Sequence, residues 1–303
     1  MEEMNDLKKR TARLSVLSNT LLVILKFTVG VYSGAVSIVS EAAHSGVDLV
    51  AALIAFYAVR KSGKPPDEQH AYGHGKVENL SGVIEAILII LAALWIIYEA
   101  VHKFYKTEAP VFLEYGILVM LVSIVVNWYV SNRLLKVAKA TCSQALEADA
   151  LHLRSDIWSS LGVLGGLAVI RISGYMWLDP AIAIIVAIVV FRAGYTMTKK
   201  SLYELTDVSL PEEEEAIIRR ILSAHPESID FHQLRTRRSG SRRLIDVHLI
   251  LYKDMPIDKA HTVCDQIEAE IEAELAPCDI TIHIEPCGYY ADIGACPLSE
   301  ENK

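Results

Sequence analysis

The sequence predicts a membrane protein in two parts. A six-helix, all-α transmembrane domain is expected over residues 1–207, then a small cytosolic α+β domain over 208–290 and a tail over 291–303. Three observations predict it. Hydrophobic residues make up 52% of the 303 and mean hydropathy is +0.31, too apolar for an ordinary soluble domain of this length. Apolar segments, each near the ~20 residues that a spanning helix needs, fill the first two thirds of the chain. Charge is also divided unevenly: residues 1–207 hold 19 Lys and Arg against 18 Asp and Glu, whereas residues 208–303 hold 10 against 19. The acidic part therefore reads as a separate soluble unit, and no nucleic-acid partner is expected.

After a polar N-terminal tail the apolar segments run Leu14–Tyr32, Val36–Val59, Leu80–His102, Val111–Leu134, Ala145–Ile172 and Leu178–Thr198. Lys8, Lys9 and Arg10 precede a run long enough to span, so no signal peptide is expected. Lys and Arg concentrate in the N-terminal tail, the second connection (Arg60, Lys61, Lys64, Lys76), the fourth (Arg133, Lys136, Lys139) and the exit (Lys199, Lys200). The first connection has none, the third has Lys103 and Lys106, and the fifth has Arg171. The positive-inside rule then places both termini in the cytoplasm, and the expected location is the cell membrane. Gly162, Gly165 and Gly166 allow close helix approach. Lys26, Glu85 and Arg192 interrupt apolar segments: the two cations can snorkel or face a cavity, and Glu85 can join a proton path or a hydrogen bond inside the bundle.

From Pro211 the pattern changes. Pro211 followed by Glu212 to Glu215 is a helix start, with the acids favoured by the helix dipole, and the helix runs to about His225. Strand-like runs follow at Asp230–Arg237 and Arg242–Tyr252, joined by Ser239-Gly240-Ser241. In the second, Ile245, Val247, Leu249 and Leu251 alternate with Asp246 and His248. A helix over Ile257–Leu275 and a strand over Asp279–Glu285 complete an αββαβ order of ferredoxin or metallochaperone type. Cys142, Cys264, Cys278, Cys287 and Cys296 form no CxxC pair and are odd in number, which predicts a reducing compartment without structural disulfides.

The second apolar segment contains His44 and Asp48, and the fifth opens with His152 and Asp156. An i, i+4 spacing stacks the two side chains on one helix face. One HxxxD on a soluble helix is commonplace. In hydrocarbon, however, an Asp at the helix centre costs roughly 2.5–3.5 kcal/mol, and such residues mark ion pathways. Two copies on adjacent helices would join two imidazoles and two carboxylates, a four-coordinate set suited to zinc.

Two further groups are weaker by themselves. Asp67, His70 and His74 can bind a metal but also suit a solvated loop. His283 and Glu285 alternate with Ile282 and Ile284, so they share the strand face opposite the core, and His248 likewise lies opposite its strand's apolar face. His232 and His261 come from other elements.

Together these motifs resemble the cation diffusion facilitators, and the bacterial zinc and ferrous-iron efflux transporters among them. The resemblance rests on six apolar segments, HxxxD in the second and fifth, the Asp67/His70/His74 loop with Gly73-His74-Gly75-Lys76, Asp179-Pro180, and Leu234-Arg235-Thr236-Arg237. It implies a homodimer that exchanges divalent cations for protons by alternating access. It further implies a transport site of His44, Asp48, His152 and Asp156, a loop site of Asp67, His70 and His74, and a binuclear cytosolic site of His232, His248, His261, His283 and Glu285 at the dimer interface. Lys76 and Asp207 match a charge pair near the membrane hinge. Two positions depart from the pattern: some bacterial members carry Asp at His44, and Asp is usual at Glu285.

The expected activity is Zn²⁺/proton antiport out of the cytoplasm, with Zn²⁺ as both cargo and regulator. Two carboxylates offset the cation's charge, neutral imidazoles ligate it, and protons displace it. Flanking apolar residues such as Leu151 exclude water. Fe²⁺, Mn²⁺ and Co²⁺ are alternative cargoes, and a non-transporting metal sensor is the alternative function. A membrane metal hydrolase is disfavoured, because four protein ligands leave no open coordination position, so no enzyme is expected.

Overall fold

A computed structural model describes residues 2–33, 36–105, 114–173 and 178–288. Cys296, the connection residues Lys106 and Val111, and the tail from 291 lie outside the described residues. The chain divides into two compact units, Met1–Leu205 and Thr206–Lys303.

Among the described residues the first unit holds six long helices: α1 (Glu2–Ser33), α2 (Val36–Ser62), α3 (Lys76–Tyr105), α4 (Glu114–Thr141), α5 (Gln144–Ser173) and α6 (Leu178–Leu205). Several ends follow from local chemistry. Arg60 and Lys61 complement the C-terminal dipole of α2, as Lys139 does for α4. Cys142 takes a left-handed backbone (φ 49°) at the break between α4 and α5. The helices extend beyond the apolar runs because polar residues such as Lys8 and Leu205's neighbour Glu204 continue the helix past the apolar stretch.

Packing is inverted relative to a soluble bundle. Small side chains fill the inside, among them Ala12, Ala51, Ala55, Ala86, Ala93, Ala145 and Ala148. Large apolar ones face outward, including Leu17, Leu21, Ile24, Phe27, Leu91, Trp95, Val125 and Trp128. Without a hydrophobic drive between helices in lipid, small residues let backbones approach and dispersion contacts hold them. Gly162 shows the effect: a Cβ there would sit 2.7 Å from Val186 Cγ2 of α6. Gly165, by contrast, faces open space, so it does not serve the close approach that its position predicts. Among the described residues, four of the helices are long and apolar enough to cross a membrane: Glu3–Tyr32, Lys76–His102, Ile117–Thr141 and Pro180–Leu205.

The second unit is α7 (Glu212–Ala224), β1 (Asp230–Ser239), β2 (Arg242–Leu251), α8 (Ile257–Leu275) and β3 (Cys278–Pro286), the expected αββαβ order. β1 and β2 form an antiparallel hairpin turned at Gly240 (φ +61°), and β3 returns parallel to β2 after the α8 crossover. Ile245, Val247, Leu249 and Leu251 of β2 pack with Ile218 and Leu222 of α7 and Val263, Ile267 and Ile271 of α8. The unit thus has a core of its own. β1 carries one irregularity, between His232 and Arg235, where Gln233 takes φ 50°. Below it Arg235 pairs with Asp246; above it His232 pairs with His248, one residue out of step.

One expectation fails here. Cys287 is disulfide-bonded, whereas Cys142, Cys264 and Cys278 are free. Cys287 follows the end of β3, where its N–H donates to Leu251 O at 2.9 Å.

Candidate metal sites

The i, i+4 pairs of α2 and α5 meet crosswise. His152 Nε2 of α5 lies 3.2 Å from Asp48 Oδ1 of α2, and His44 Nε2 of α2 lies 4.0 Å from Asp156 Oδ1 of α5. Donor atoms of His44, Asp48 and Asp156 all fall within 4.8 Å of one another, and His152 joins them through its hydrogen bond to Asp48. His152 and Asp48 are buried, while His44 is half exposed. Asp156 Oδ2 and His152 Nδ1 are buried without a hydrogen-bond partner. The group therefore combines two nitrogens and two carboxylates, open on the His44 side. Leu151, one position before His152, packs against Ala86, Ala148 and Met197.

Other polar residues surround this group. Lys26 of α1 is buried, neither snorkelling nor lining an open cavity, and its Nζ donates to Ser45 Oγ at 2.8 Å. Glu85 of α3 is fully buried and accepts from Ser81 Oγ at 3.1 Å, whereas Arg192 is exposed. Sequence reasoning missed Asp149, fully buried on α5 three residues before His152; the i, i+3 spacing was its signal. It also missed Lys8. That buried ammonium lies 2.9 Å from Glu78 Oε1, and Glu78 additionally accepts from Ser62 and Ser143.

The Asp67/His70/His74 loop is built around one carboxylate. Asp67 Oδ1 accepts the backbone N–H groups of His70 (2.8 Å) and Gln69 (3.1 Å), an Asx-type turn. His70 Nδ1 and His74 Nε2 each lie 3.2 Å from an Asp67 oxygen. The backbone hydrogen bond from His70, together with the side-chain bond and the nearby His74, outweighs desolvation and holds the Asp67 carboxyl below its ordinary value. His74 is buried and the other two are half exposed.

In the second unit the three strands place three imidazoles in one row. His232 is the register partner of His248, and His248 of His283. Ring centroids are 5.1 and 4.7 Å apart along the row. Glu285 lies under it, with carboxylate oxygens 2.8 Å from His248 Nδ1, 3.4 Å from His232 Nε2 and 3.8 Å from His283 Nε2. Donors of His232, His248 and Glu285 lie within 4.8 Å of one another. His261 is not brought to the row. It is exposed on α8, which packs on the sheet's opposite face, and pairs with Asp265 at 3.7 Å.

The two hinge candidates are each engaged within their own unit. Lys76 Nζ donates to Leu205 O at 3.4 Å, and Arg237 Nη1 lies 3.3 Å from Asp207 Oδ1.

Residues 12–206 match the cation efflux transmembrane domain, and residues 210–287 match the cytoplasmic domain of cation efflux proteins. The chain is 33% identical over 284 residues to the uncharacterized transporter sll1263 of Synechocystis sp., covering 91% of this chain and 92% of that one. It is 32% identical over 281 residues to the cation-efflux pump FieF of Cronobacter sakazakii, with 93% of each chain covered. FieF of Klebsiella pneumoniae is 31% identical over 282 residues, covering 92% of this chain and 93% of that protein. The chain therefore belongs to the cation diffusion facilitator family, and is an integral membrane cation efflux transporter rather than an enzyme.

Proposed function

We propose that the protein exports Zn²⁺ from the cytoplasm in exchange for protons. The observation that carries this reading is the crosswise meeting of His44 and Asp48 with Asp156 and His152. Two imidazoles and two carboxylates match tetrahedral zinc, and the nitrogen share favours zinc over the harder Mn²⁺. The carboxylates offset the cation's charge inside the bundle, where an uncompensated divalent ion would be prohibitively costly. Both imidazoles must be neutral to ligate, so loading releases protons and protonation from the opposite face releases metal. α2 and α5 complete a six-helix membrane domain around this site, and rocking of helix pairs exposes it alternately to each side, with Leu151 among the residues that close it to water.

The Asp67/His70/His74 loop is a second Zn²⁺ site. The His232/His248/His283 row, with Glu285, is a cytosolic sensing site. His261 stands on the far side of the sheet and is left out of this set; the match of residues 210–287 to the cytoplasmic domain of cation efflux proteins supports a homodimer joined through residues 208–290. The acidic balance of residues 208–303, 10 basic against 19 acidic side chains, favours a dimer drawn together by bound cations. Lys76 and Asp207 mark the hinge between the parts. The Lys and Arg distribution supports cytoplasmic termini, and the likeness to the cation-efflux pumps of Cronobacter sakazakii and Klebsiella pneumoniae supports a bacterial inner membrane. Zinc flux into sealed inside-out vesicles, driven by a proton gradient, tests the whole reading. Flux that ignores the gradient overturns the antiport, and a protein that binds zinc without moving it is a sensor.

A further inference from the structure

One end of the helix bundle is fastened by two neighbouring residues that no proposed metal site uses. Glu78 and Asn79 lie in the first turn of α3, and both are buried. The Glu78 carboxylate accepts from three other parts of the chain. Lys8 Nζ of α1 donates to Oε1 at 2.9 Å, and Ser62 Oγ, at the end of α2, donates to the same oxygen at 2.7 Å. Ser143 Oγ, in the break between α4 and α5, donates to Oε2. Asn79 Nδ2 donates to Gln144 Oε1 of α5 at 3.0 Å and to Glu204 Oε2 of α6 at 2.7 Å. The side chains of Lys8 and Glu78 are each 1% exposed, so a buried ion pair anchors the set. Removing one member would leave the other charge buried and uncompensated.

The bonds of Glu78 cross between groups of helices. α3 lies close on α6: a Cβ at Gly82 would sit 2.9 Å from Ser201 Oγ, and one at Gly194 2.9 Å from Ile90 Cγ1. Glu78 joins that pair to α1, to α2 and to the α4–α5 break. The fastened end carries the Lys- and Arg-rich connections read as cytoplasmic. Exposure of the transport ligands runs in the same sense. α5 leaves this end at Gln144, reaches His152 after about 12 Å of helix rise, and carries Asp156 beyond it. α2 passes His44 and then Asp48 on its way to Ser62. His152 and Asp48, nearer the fastened end, are buried, whereas the side chains of His44 and Asp156, farther from it, are 50% and 16% exposed. The bundle is thus closed at the fastened end and open beyond the site.

We propose that Glu78, with Lys8, Ser62 and Ser143, is a latch that holds the bundle shut on the cytoplasmic side, and that its release admits cargo. Its place in transport rests on the export reading and on His44, Asp48, His152 and Asp156 as ligands.

Cys142 reports the latch, because it is partly buried in the α4–α5 break beside Ser143. In full-length protein in sealed inside-out vesicles, Glu78→Gln should speed N-ethylmaleimide labelling of Cys142, read by mass spectrometry, about tenfold. The cytoplasm-open form becomes more populated, so the KM for zinc should fall about threefold. kcat should fall as well, because closure must follow loading. Lys8→Glu combined with Glu78→Lys restores an opposite pair, and the serine hydroxyls can accept as well as donate. Labelling and KM should then return to within about twofold of the wild type. Unchanged labelling and KM in Glu78→Gln overturn the latch, and so does a swap as open as the single variant. A pair that merely stabilises the fold would lower the melting temperature and kcat while leaving KM and labelling unchanged, which also overturns it. If Glu78→Gln does not fold, Ser62→Ala decides, since it removes one bond to Glu78 away from Cys142. Labelling faster by about twofold or more supports the latch, and an unchanged rate overturns it. Absence of zinc flux in the wild type refutes the export reading, and the labelling rates then decide the latch by themselves.

Discussion

His152 and Asp48 stand 104 positions apart in sequence, and their side chains meet at 3.2 Å in the interior of the helix bundle. Each also belongs to an i, i+4 pair on its own helix, with Asp156 and His44. The contact therefore ties α2 to α5 through the same atoms that would hold a metal, and movement between these helices must alter the ligand geometry.

The first prediction follows from that dependence. Asp156→Ala removes one ligand and one compensating charge, so zinc flux in vesicles should fall by more than about 100-fold, beyond the effect of losing an outer partner. The variant should still insert and dimerise, which size-exclusion chromatography checks. Wild-type flux would sink the assignment.

The proposed ligand set is open on the His44 side, and that ligand should bear on selectivity. Replacing it by Asp makes the site harder and more anionic, and discrimination between Zn²⁺ and Cd²⁺ should weaken severalfold. The ratio of the two fluxes in one vesicle preparation reports it; an unchanged ratio would remove His44 from the ligand set.

Zinc should stabilise the second unit through the histidine row. Binding to the folded state alone contributes about 2.7 kcal/mol when free metal is a hundredfold above Kd. Thermal melts of residues 206–303, which have their own core, should show this shift in the wild type and lose most of it in His283→Ala. Scattering should show the dimer compacting with zinc. No change in either quantity would end the sensing role.

A pH dependence follows from Glu214. Partial burial pushes its carboxyl up, but hydrogen bonds from Arg243 and Arg238 and their charges outweigh it, holding the group below its ordinary value. Arg243 Nε donates to Glu214 Oε2 at 2.8 Å and Nη1 to Leu275 O at 2.9 Å, linking α7, β2 and the end of α8. With the folded value depressed, this stabilisation is present above the ordinary Glu range and lost as pH falls through the folded value. Urea denaturation of the same fragment should therefore show Glu214→Gln less stable by about 1–3 kcal/mol at pH 7, with the difference shrinking towards acid pH. A constant difference would argue against the ion pair.

The parts of the site that were legible in the sequence are those in which spacing alone fixes geometry. His44 and Asp48, like His152 and Asp156, share a helix face because four residues make about one turn. Strand alternation likewise placed His283 and Glu285 on one face. It did not show that Glu285 would be buried there, because burial comes from imidazoles on β1, β2 and β3 closing over it. Lys26 was ambiguous for a similar reason: an isolated cation in an apolar run can snorkel or turn inward, and its inward position, with a bond to Ser45 of another helix, is a matter of packing between helices. The differing surroundings of Gly162 and Gly165 are also products of tertiary packing, and no local pattern encodes them.

The irregularity in β1 carries a meaning of its own. Extended without interruption, the pairing of Arg235 with Asp246 would bring Gln233, not His232, opposite His248. The row of three imidazoles thus owes one member to a count of backbone atoms. Inserting one further residue between His232 and Arg235, with the irregularity otherwise unchanged, would turn that imidazole to the other face while leaving all these side chains in the gene, whereas deleting one would straighten the strand and keep the pairing. The proposed metal recognition is thus written partly in chain length, and substitution scanning would pass over one of its determinants.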